Sequence, residues 1–229
     1  MSIVEHECPV CGAKADKQIL VNWSYHDKVR LDMFGNVWGY DHCPLCESVW
    51  LDAMKLWSSA EFGRYIYNKD YGKTDREYDG TRSRNLFPQI RYYIHTLVPD
   101  CKRVLDYGAG NGVLAELLGE EFEAIAYDPY DVGENELQES DVITAIEVLE
   151  HEINAENLWT QVAQYLNRGG VFITTTEFCD GKNIGDWFYA NPRAGHDLIY
   201  SKTGLEYMAI SYGLKPMFHS GNWHLFRKI

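Results

Sequence analysis

Short apolar runs alternate with helical patterns along the second half of the chain. Three runs, Arg103–Tyr107, Glu123–Tyr127 and 171–176, predict buried strands. A fourth begins at Asp141 and leads into an acidic cluster that ends at His151. Helical periodicity at Val113–Leu118 and 155–166, with short Gly-rich joints between the elements, predicts a mostly parallel sheet with helices on both faces. The last runs, 214–219 and 223–227, flank a Ser-Gly-Asn turn and predict an antiparallel hairpin.

The first half of the chain has weaker patterns. Strand character at 18–21 and 29–33 predicts a hairpin, and residues 56–100 form an aromatic connector. Residues 69–84 are rich in Gly, Asp, Thr and Ser, which predicts a loop that could act as a lid. Apolar positions between 85 and 97 follow a helical stripe that ends before Pro99, so we expect a helix that packs on the following domain.

Composition and charge restrict the possible partners. The 229 residues are 45% apolar and carry 21 basic and 34 acidic side chains, a net charge of −13. This composition favours a packed globular protein over a disordered chain. The negative charge disfavours nucleic acid, since affinity for phosphate backbones comes from Lys and Arg. No apolar run is long enough for a membrane span and no signal peptide is evident, so a cytoplasmic location without membrane partners is expected.

Four of the six cysteines form two matching pairs, Cys8 with Cys11 and Cys43 with Cys46. Each pair has the form CPxC, in which a tight turn directs both thiolates to one point, and two such turns supply four sulfurs for tetrahedral zinc. Disulfides are disfavoured without a secretion signal, and a redox CxxC is disfavoured without a surrounding βαβ unit. We predict a structural zinc ribbon at residues 1–55.

A glycine loop follows the first predicted strand of the α/β region. Asp106 is followed by Gly108, Ala109 and Gly110, and the second strand ends on Asp128. Such glycines let the backbone turn sharply and approach a ligand at the N-terminus of a helix. An acid at the end of the second strand is where a carboxylate can hold a ribose diol. The alternative for Asp128 is a turn residue before Pro129.

Four motifs carry a family resemblance. They are VLDYGAGNG, AYDPY, DVITAIEVLEH and LNRGGVFITT, in that order along residues 101–229. This part of the chain resembles the class I S-adenosylmethionine-dependent methyltransferases, which implies a Rossmann-like α/β fold. The glycine spacing at 108, 110 and 112 differs from the GxGxxG of dinucleotide-binding proteins. The complete arrangement, with a zinc ribbon and a tyrosine-rich connector, is similar to methyltransferases that act on sugars and polysaccharide precursors.

The resemblance implies a cofactor site. The glycine loop, 108–110, would face the methionine and ribose parts of S-adenosylmethionine, and Asp106 would contact its amino acid group. Asp128 would hold the ribose hydroxyls, and Ile146 and Glu147 would lie beside the cofactor. Only twelve residues separate Asp128 from Asp141, too few for the two crossovers that the family places there. We therefore predict that the third strand is missing, with Glu139, Ser140 or Asp141 as replacement contacts for adenine.

Candidate catalytic residues follow the predicted fourth strand. Methyl transfer needs a group that takes a proton from the acceptor, and Glu147, Glu150 and His151 would share one face if the chain is helical there. The E-x-x-E-H pattern is similar to that of ubiquinone-type O-methyltransferases, which implies a magnesium-class ion. It also occurs in metal-free relatives, and we prefer His151 as a base or substrate contact over Mg²⁺ binding or helix capping.

A substrate cap is predicted at 177–200, because ligands bind beyond the carboxyl ends of the strands in open α/β sheets. His196 and Tyr200 resemble the family's HxxxY segment, whose residues face the acceptor, and His196 could instead cap the next helix. We assign His196 as a second catalytic candidate, and Tyr71, Glu177 and Tyr200 as substrate contacts.

The predicted domains are a zinc ribbon at 1–55, the aromatic connector at 56–100, and the methyltransferase core at 101–229. The expected function is transfer of a methyl group to a small, polyhydroxylated or sugar-nucleotide acceptor. One alternative is a methyltransferase that acts on RNA or protein and docks through its zinc ribbon. The other is a binding module without catalytic activity. The oligomeric state is left open.

Overall fold

The computed structural model describes residues 6–22, 37–129 and 136–229. The strands are β1 (Lys17–Asn22), β2 (Val37–His42), β3 (Val49–Trp50), β4 (Arg103–Tyr107), β5 (Glu123–Tyr127), β6 (Ser140–Ile146), β7 (Leu166–Thr175), β8 (Leu198–Ile199), β9 (Leu214–Ser220) and β10 (Trp223–Lys228). The α-helices are α1 (Ser59–Tyr65), α2 (Tyr71–Thr74), α3 (Thr81–Leu97), α4 (Val113–Leu118), α5 (Ala155–Tyr165) and α6 (Lys202–Ser211). No helix in these ranges is both long enough and apolar enough to cross a bilayer.

The chain forms two compact units. Unit 1 comprises Met1–Arg76, Glu150–Glu156 and Glu177–Met208. Unit 2 comprises Glu77–Leu149, Asn157–Thr176 and Ala209–Ile229. The domain boundaries proposed from the sequence stay a prediction.

Unit 2 contains a six-stranded mixed sheet in the order β5-β4-β6-β7-β10-β9. The first four strands are parallel, and β10 pairs antiparallel with both β7 and β9. Helices α3 and α4 pack through Ile90, Ile94 and Leu114 on sheet residues such as Val104 and Val142. The predicted α/β methyltransferase fold and its terminal hairpin are confirmed.

The edge of this sheet lacks the family's third strand in the part of the chain that the structure describes. The observed order begins at β5, so β5 is the edge strand on the side of the sheet where the predicted third strand would pair. Pro129 and residues 136–139 are not in strands, and residues 130–135 lie outside the described ranges.

Helix α3 begins earlier than its apolar stripe predicts. The polar composition of 69–84 predicts a loop, but α2 lies within it and α3 begins at Thr81. The Asp79 side chain accepts a hydrogen bond from the backbone N–H of Thr81, at 3.0 Å, which satisfies one of the unpaired donors at a helix start. The same polar residues that predict a loop therefore start a helix.

Unit 1 contains a four-stranded sheet in the order β1-β2-β3-β8. β1 pairs antiparallel with β2, and the two-residue strand β3 pairs antiparallel with β8. Tyr40, Trp50, Leu51 and Met54 are fully buried in this unit. The predicted strand at 29–33 lies outside the described residues, and the partner of β1 is the segment directly before the second cysteine pair.

Trp159 tests the core of unit 2. Its ring packs edge to face on Phe172 and Phe226, at centroid distances of 5.7 and 5.9 Å, and all three side chains are fully buried. We expect Trp159→Ala to lower the free energy of unfolding by about 3–5 kcal/mol, because it leaves a cavity among these rings. Urea unfolding followed by circular dichroism measures this change. Ile210→Ala, at an exposed position of α6, should change stability by less than about 0.5 kcal/mol. A similar loss in both variants would contradict the assignment.

Candidate functional site

The four cysteines of the two CPxC pairs meet in unit 1. The Sγ atoms of Cys8 and Cys46 lie 3.6 Å apart, and those of Cys11 and Cys43 lie 3.4 Å apart. All four sulfurs lie within 4.8 Å of one another. Zinc–sulfur bonds of about 2.3 Å place the sulfurs of a tetrahedral site about 3.8 Å apart, so the four side chains fit a closed zinc site.

The two knuckles have the same backbone geometry. Gly12 follows the first pair with φ of +74°, and Glu47 follows the second with φ of +62°. The N–H groups of these residues donate to the carbonyls of Cys8 and Cys43, each at 2.9 Å. The N–H of Cys46 also points to the Cys43 sulfur, at 3.4 Å. Each knuckle is therefore a tight turn that directs two thiols to one point.

A hydrogen bond between two of these thiols gives them different pKa values. The hydrogen bond between Cys8 and Cys46 raises the pKa of Cys8 and lowers the pKa of Cys46 to about 5. Thiolates are the form that binds metal, so this hydrogen bond favours deprotonation of one ligand of the site.

The glycine loop lies in unit 2, directly after β4. The N–H groups of Gly108 and Ala109 donate to the carbonyl of Tyr127, at 2.7 and 3.0 Å, and the N–H of Gly110 donates to a carboxylate oxygen of Asp128, at 2.9 Å. Gly108 has φ of +72°, and a Cβ there would lie 2.6 Å from the Val148 side chain. Only glycine fits at this position, and the carboxyl ends of β4 and β5 are tied together.

Asp106 is a buried acid near the carboxyl end of β4. Its carboxylate accepts a hydrogen bond from Thr144 Oγ1 at 2.7 Å. Burial raises the pKa of Asp106 to about 7, and the charge of Asp128 adds to this shift. Asp106 is therefore part protonated near neutral pH, ready to become fully ionised beside a cation.

Ile146 and Glu147 mark the carboxyl end of β6. Ile146 packs on the apolar core of unit 2, and Glu147 has φ of +52°. The N–H of Glu147 bonds to the carbonyl and the hydroxyl of Thr175, both at 3.1 Å. The helix that would align Glu147, Glu150 and His151 does not form. The backbone of Glu147 is in the left-handed region, and only Leu149–His151 make a 3-10 turn.

The replacement contacts predicted for adenine lie at the wrong edge of the sheet. In the parallel register Val104 is opposite Val142, so Ser140 and Asp141 are at the amino ends of the strands. Asp141 accepts hydrogen bonds from the N–H groups of Lys102 and Arg103, at 2.9 and 3.1 Å. The carbonyl of Glu139 accepts from the Arg103 side chain. These three residues are therefore structural, and the expectation for them is wrong.

A histidine pair lies in unit 1. The rings of His151 and His196 are 4.9 Å apart. Nδ1 of His151 contacts the carbonyl of Gly195 at 3.1 Å, and Nδ1 of His196 contacts the carbonyl of Tyr189 at 2.6 Å. A carbonyl can only accept, so each neutral ring has its proton on Nδ1 and its lone pair on Nε2. Both histidines thus have the tautomer that a base or a ligand needs at Nε2.

Glu150 and Tyr189 complete this cluster. Glu150 is fully buried and accepts a hydrogen bond from the Tyr189 hydroxyl at 2.6 Å. The Tyr189 hydroxyl also accepts the N–H of Glu177, at 3.3 Å, and its ring lies 4.3 Å from that of His196. The donor atoms of Glu150, His151 and His196 lie within 4.8 Å of one another, whereas Glu147 belongs to unit 2.

Gly195 allows the close approach in this cluster. It has φ of +84°, and a Cβ there would lie 3.0 Å from Ile66 and 3.3 Å from His151.

Helix α6 is capped by Ser201, whose hydroxyl accepts the N–H of Gly204 at 2.9 Å. The alternative that His196 caps this helix is therefore wrong.

The predicted substrate contacts all lie in unit 1. Tyr71 is buried, and its hydroxyl donates to the carbonyl of Ala194 at 3.5 Å. Tyr200 is fully buried, and its carbonyl accepts the N–H of Cys179 at 2.9 Å. Glu177 is half-buried at the start of the cap. Their assignment to an acceptor stays a prediction.

Tyr189 and Arg193 fall in the predicted cap at 177–200, but sequence reasoning gave neither an individual role. Arg193 is 1% exposed, and its guanidinium donates to the Ile66 carbonyl at 2.9 Å and to Asn68 at 3.2 Å. An arginine and several aromatic side chains inside an otherwise polar cap were the available signal. The cap is therefore held by a buried cation that bridges it to the segment at 66–68.

Known structures share this architecture. An O-methyltransferase family protein from Burkholderia thailandensis is similar over 70% of this chain and 60% of its own, with 14% identity and a TM-score of 0.52. The structure described as PigF with SAH is similar over 72% of this chain and 60% of its own, with 14% identity and a TM-score of 0.50. This chain thus spans about three fifths of each. Such low identity shows the fold alone. Comparison with curated proteins gives no match.

The family itself is shown by a match over most of the chain. The family model described as a methyltransferase domain matches residues 78–217. This range contains the glycine loop, both carboxylates of the β4–β5 edge and the histidine pair. The chain therefore belongs to this methyltransferase-domain family, among the class I S-adenosylmethionine-dependent methyltransferases.

Proposed function

We propose that the protein transfers a methyl group from S-adenosylmethionine to a small, polyhydroxylated acceptor such as a nucleotide-linked sugar. The observation that carries the proposal is the arrangement at the carboxyl ends of β4 and β5. There, Asp106 and Asp128 place two carboxylates beside the glycine loop 108–110, whose glycines have no side chains that would cover the backbone. A net charge of −13 favours a small acceptor over RNA.

The residues at these strand ends fit the proposed cofactor. Gly108 and Gly110 both have positive φ, and without side chains they let a ligand approach the backbone. Asp128 offers a carboxylate to a ribose diol, and Asp106 offers one to an ammonium group. When bound, S-adenosylmethionine supplies an electrophilic methyl group on a sulfonium.

The acceptor side is assigned to the cluster in unit 1. Methyl transfer is an in-line displacement, so the protein must align the acceptor and remove its proton. His151 and His196 have lone pairs on Nε2 that suit this role, and Glu147 is the third candidate base. Tyr71, Glu177 and Tyr200 are proposed substrate contacts in the same unit.

Binding of S-adenosylmethionine should depend on pH through Asp106. The carboxylate form attracts a cationic ligand, so affinity should rise as pH increases through about 7 and fall below it. Isothermal titration between pH 6 and 8 measures this, and binding should release protons. Asp106→Asn should bind more weakly and lose the pH dependence. Glu121→Gln, an exposed carboxylate of the same unit, should behave like wild type. Absence of binding at every pH would refute the proposed function.

Replacing the histidine that acts as the base should slow methyl transfer without affecting cofactor binding. General base catalysis contributes about 10²–10⁴-fold, so His151→Ala or His196→Ala should lower kcat by that factor if the histidine is the base. Release of S-adenosylhomocysteine from a panel of nucleotide-linked sugars provides the assay. His95→Ala, at an exposed histidine of unit 2, is the control. Full activity of both variants would leave Glu147 as the base.

The four cysteines should hold one zinc ion per chain. Metal analysis of the purified protein should find zinc that Cys43→Ser loses, together with a lower melting temperature of unit 1, because the free energy of metal binding adds to the free energy of folding. Cys101→Ser changes a half-buried thiol of unit 2 and should keep the zinc. Equal zinc content in both variants would refute the assignment.

A further inference from the structure

The residues directly after the second cysteine knuckle contact the substrate cap predicted at 177–200. After Cys46 the chain runs antiparallel to residues 196–201 of the same unit. The Ser201 hydroxyl donates to the carbonyl of Cys46, and the Ser201 N–H donates to the Ser48 hydroxyl at 3.2 Å. Ser201 is fully buried between them. A zinc ligand is therefore one hydrogen bond away from the cap.

The contact extends residue by residue toward His196. Val49 pairs with Ile199 and Trp50 with Leu198. The N–H of Leu51 then donates to the carbonyl of Asp197, at 2.8 Å. This ladder fixes the backbone on the C-terminal side of His196.

Tyr40 extends the contact to His196 itself. It lies on β2, three residues before Cys43, and its hydroxyl donates to the His196 carbonyl. The side chain is fully buried. Burial and the nearby Asp197 raise the pKa of Tyr40 well above its usual value, so the hydroxyl keeps its proton and remains a donor.

The packing leaves little room for another arrangement. A Cβ on Gly204 would lie 2.2 Å from the Ser48 hydroxyl oxygen. The Cys179 thiol, at the start of the cap, donates to the carbonyl of Glu47 at 3.3 Å, and its N–H donates to the Tyr200 carbonyl. Both ends of the cap thus contact the residues directly after the knuckle.

We propose that the zinc-bound second knuckle, through Tyr40 and residues 46–51, positions His196 for the methyl transfer reaction. Tyr40 is a positioning residue, since it contacts the backbone of His196 and no reacting atom. The inference rests on the proposed function only for the role of His196. It makes the acceptor side depend on zinc, whereas cofactor binding in unit 2 should not.

Histidine resonances provide a direct test. The protein has eight histidines, so imidazole signals of protein labelled with ¹⁵N-histidine can be separated, and His196→Gln identifies the His196 signal. Tyr40→Phe removes only the hydroxyl and should shift or broaden that signal. It should also lower turnover about three- to tenfold, the usual effect of one buried hydrogen bond. Affinity for S-adenosylmethionine should stay within twofold of wild type. Tyr207→Phe, at an exposed position of α6, is the matched control.

Zinc removal gives the second arm of the test. Chelation should shift the His196 signal in the same direction as Tyr40→Phe, and added zinc should restore it. If the metal-free unit 1 unfolds, Tyr40→Phe alone decides. An unchanged His196 signal in Tyr40→Phe would overturn the inference. Failure of the wild-type protein to bind S-adenosylmethionine would instead refute the proposed function, and the resonance test would still report on His196.

Discussion

The pairing of β4 with both β5 and β6 is the constraint on which the carboxyl ends of β4 and β5, with Asp106, the glycine loop and Asp128, depend. Parallel register places Asp106 opposite Ala126 on one side and Thr144 on the other. Thr144 can therefore donate to the buried carboxylate. The glycine loop follows β4 at the point where β5 ends. Its N–H groups therefore donate hydrogen bonds to Tyr127 and Asp128. A change in register would separate all of these partners at once.

Unit 1 is held together by long-range links of another kind. Its sheet joins β3 and β8, which are far apart in sequence, through two residue pairs only. Such short strands contribute little by themselves, and side-chain hydrogen bonds from Tyr40 and Ser201 reinforce them. Metal ligation would add to the stability of this unit, because the free energy of metal binding to folded ligands is also folding free energy.

Local patterns predicted most of unit 2. The strands β4 and β5 and the helix α4 have the bounds that the sequence patterns indicate, because these patterns of apolar positions are local. The start of α3 and the conformation of Glu147 were missed, since they depend on hydrogen bonds from the N–H of Thr81 to Asp79 and from the N–H of Glu147 to Thr175. The pairing of β3 with β8, and with it the position of His196, could not be read from local sequence, because the partners are about 150 residues apart.

The two carboxylates at the carboxyl ends of β4 and β5 differ in a way that matters for a cationic ligand. Asp128 accepts a hydrogen bond from the backbone N–H of Gly110. Asp106 is buried with one hydroxyl donor, and its pKa near 7 reflects the cost of placing a charge there. An ammonium group beside Asp106 would offset that cost, so binding of a cation stabilises the ionised carboxylate. Burial of Asp106 thus favours a cation over neutral ligands of the same shape.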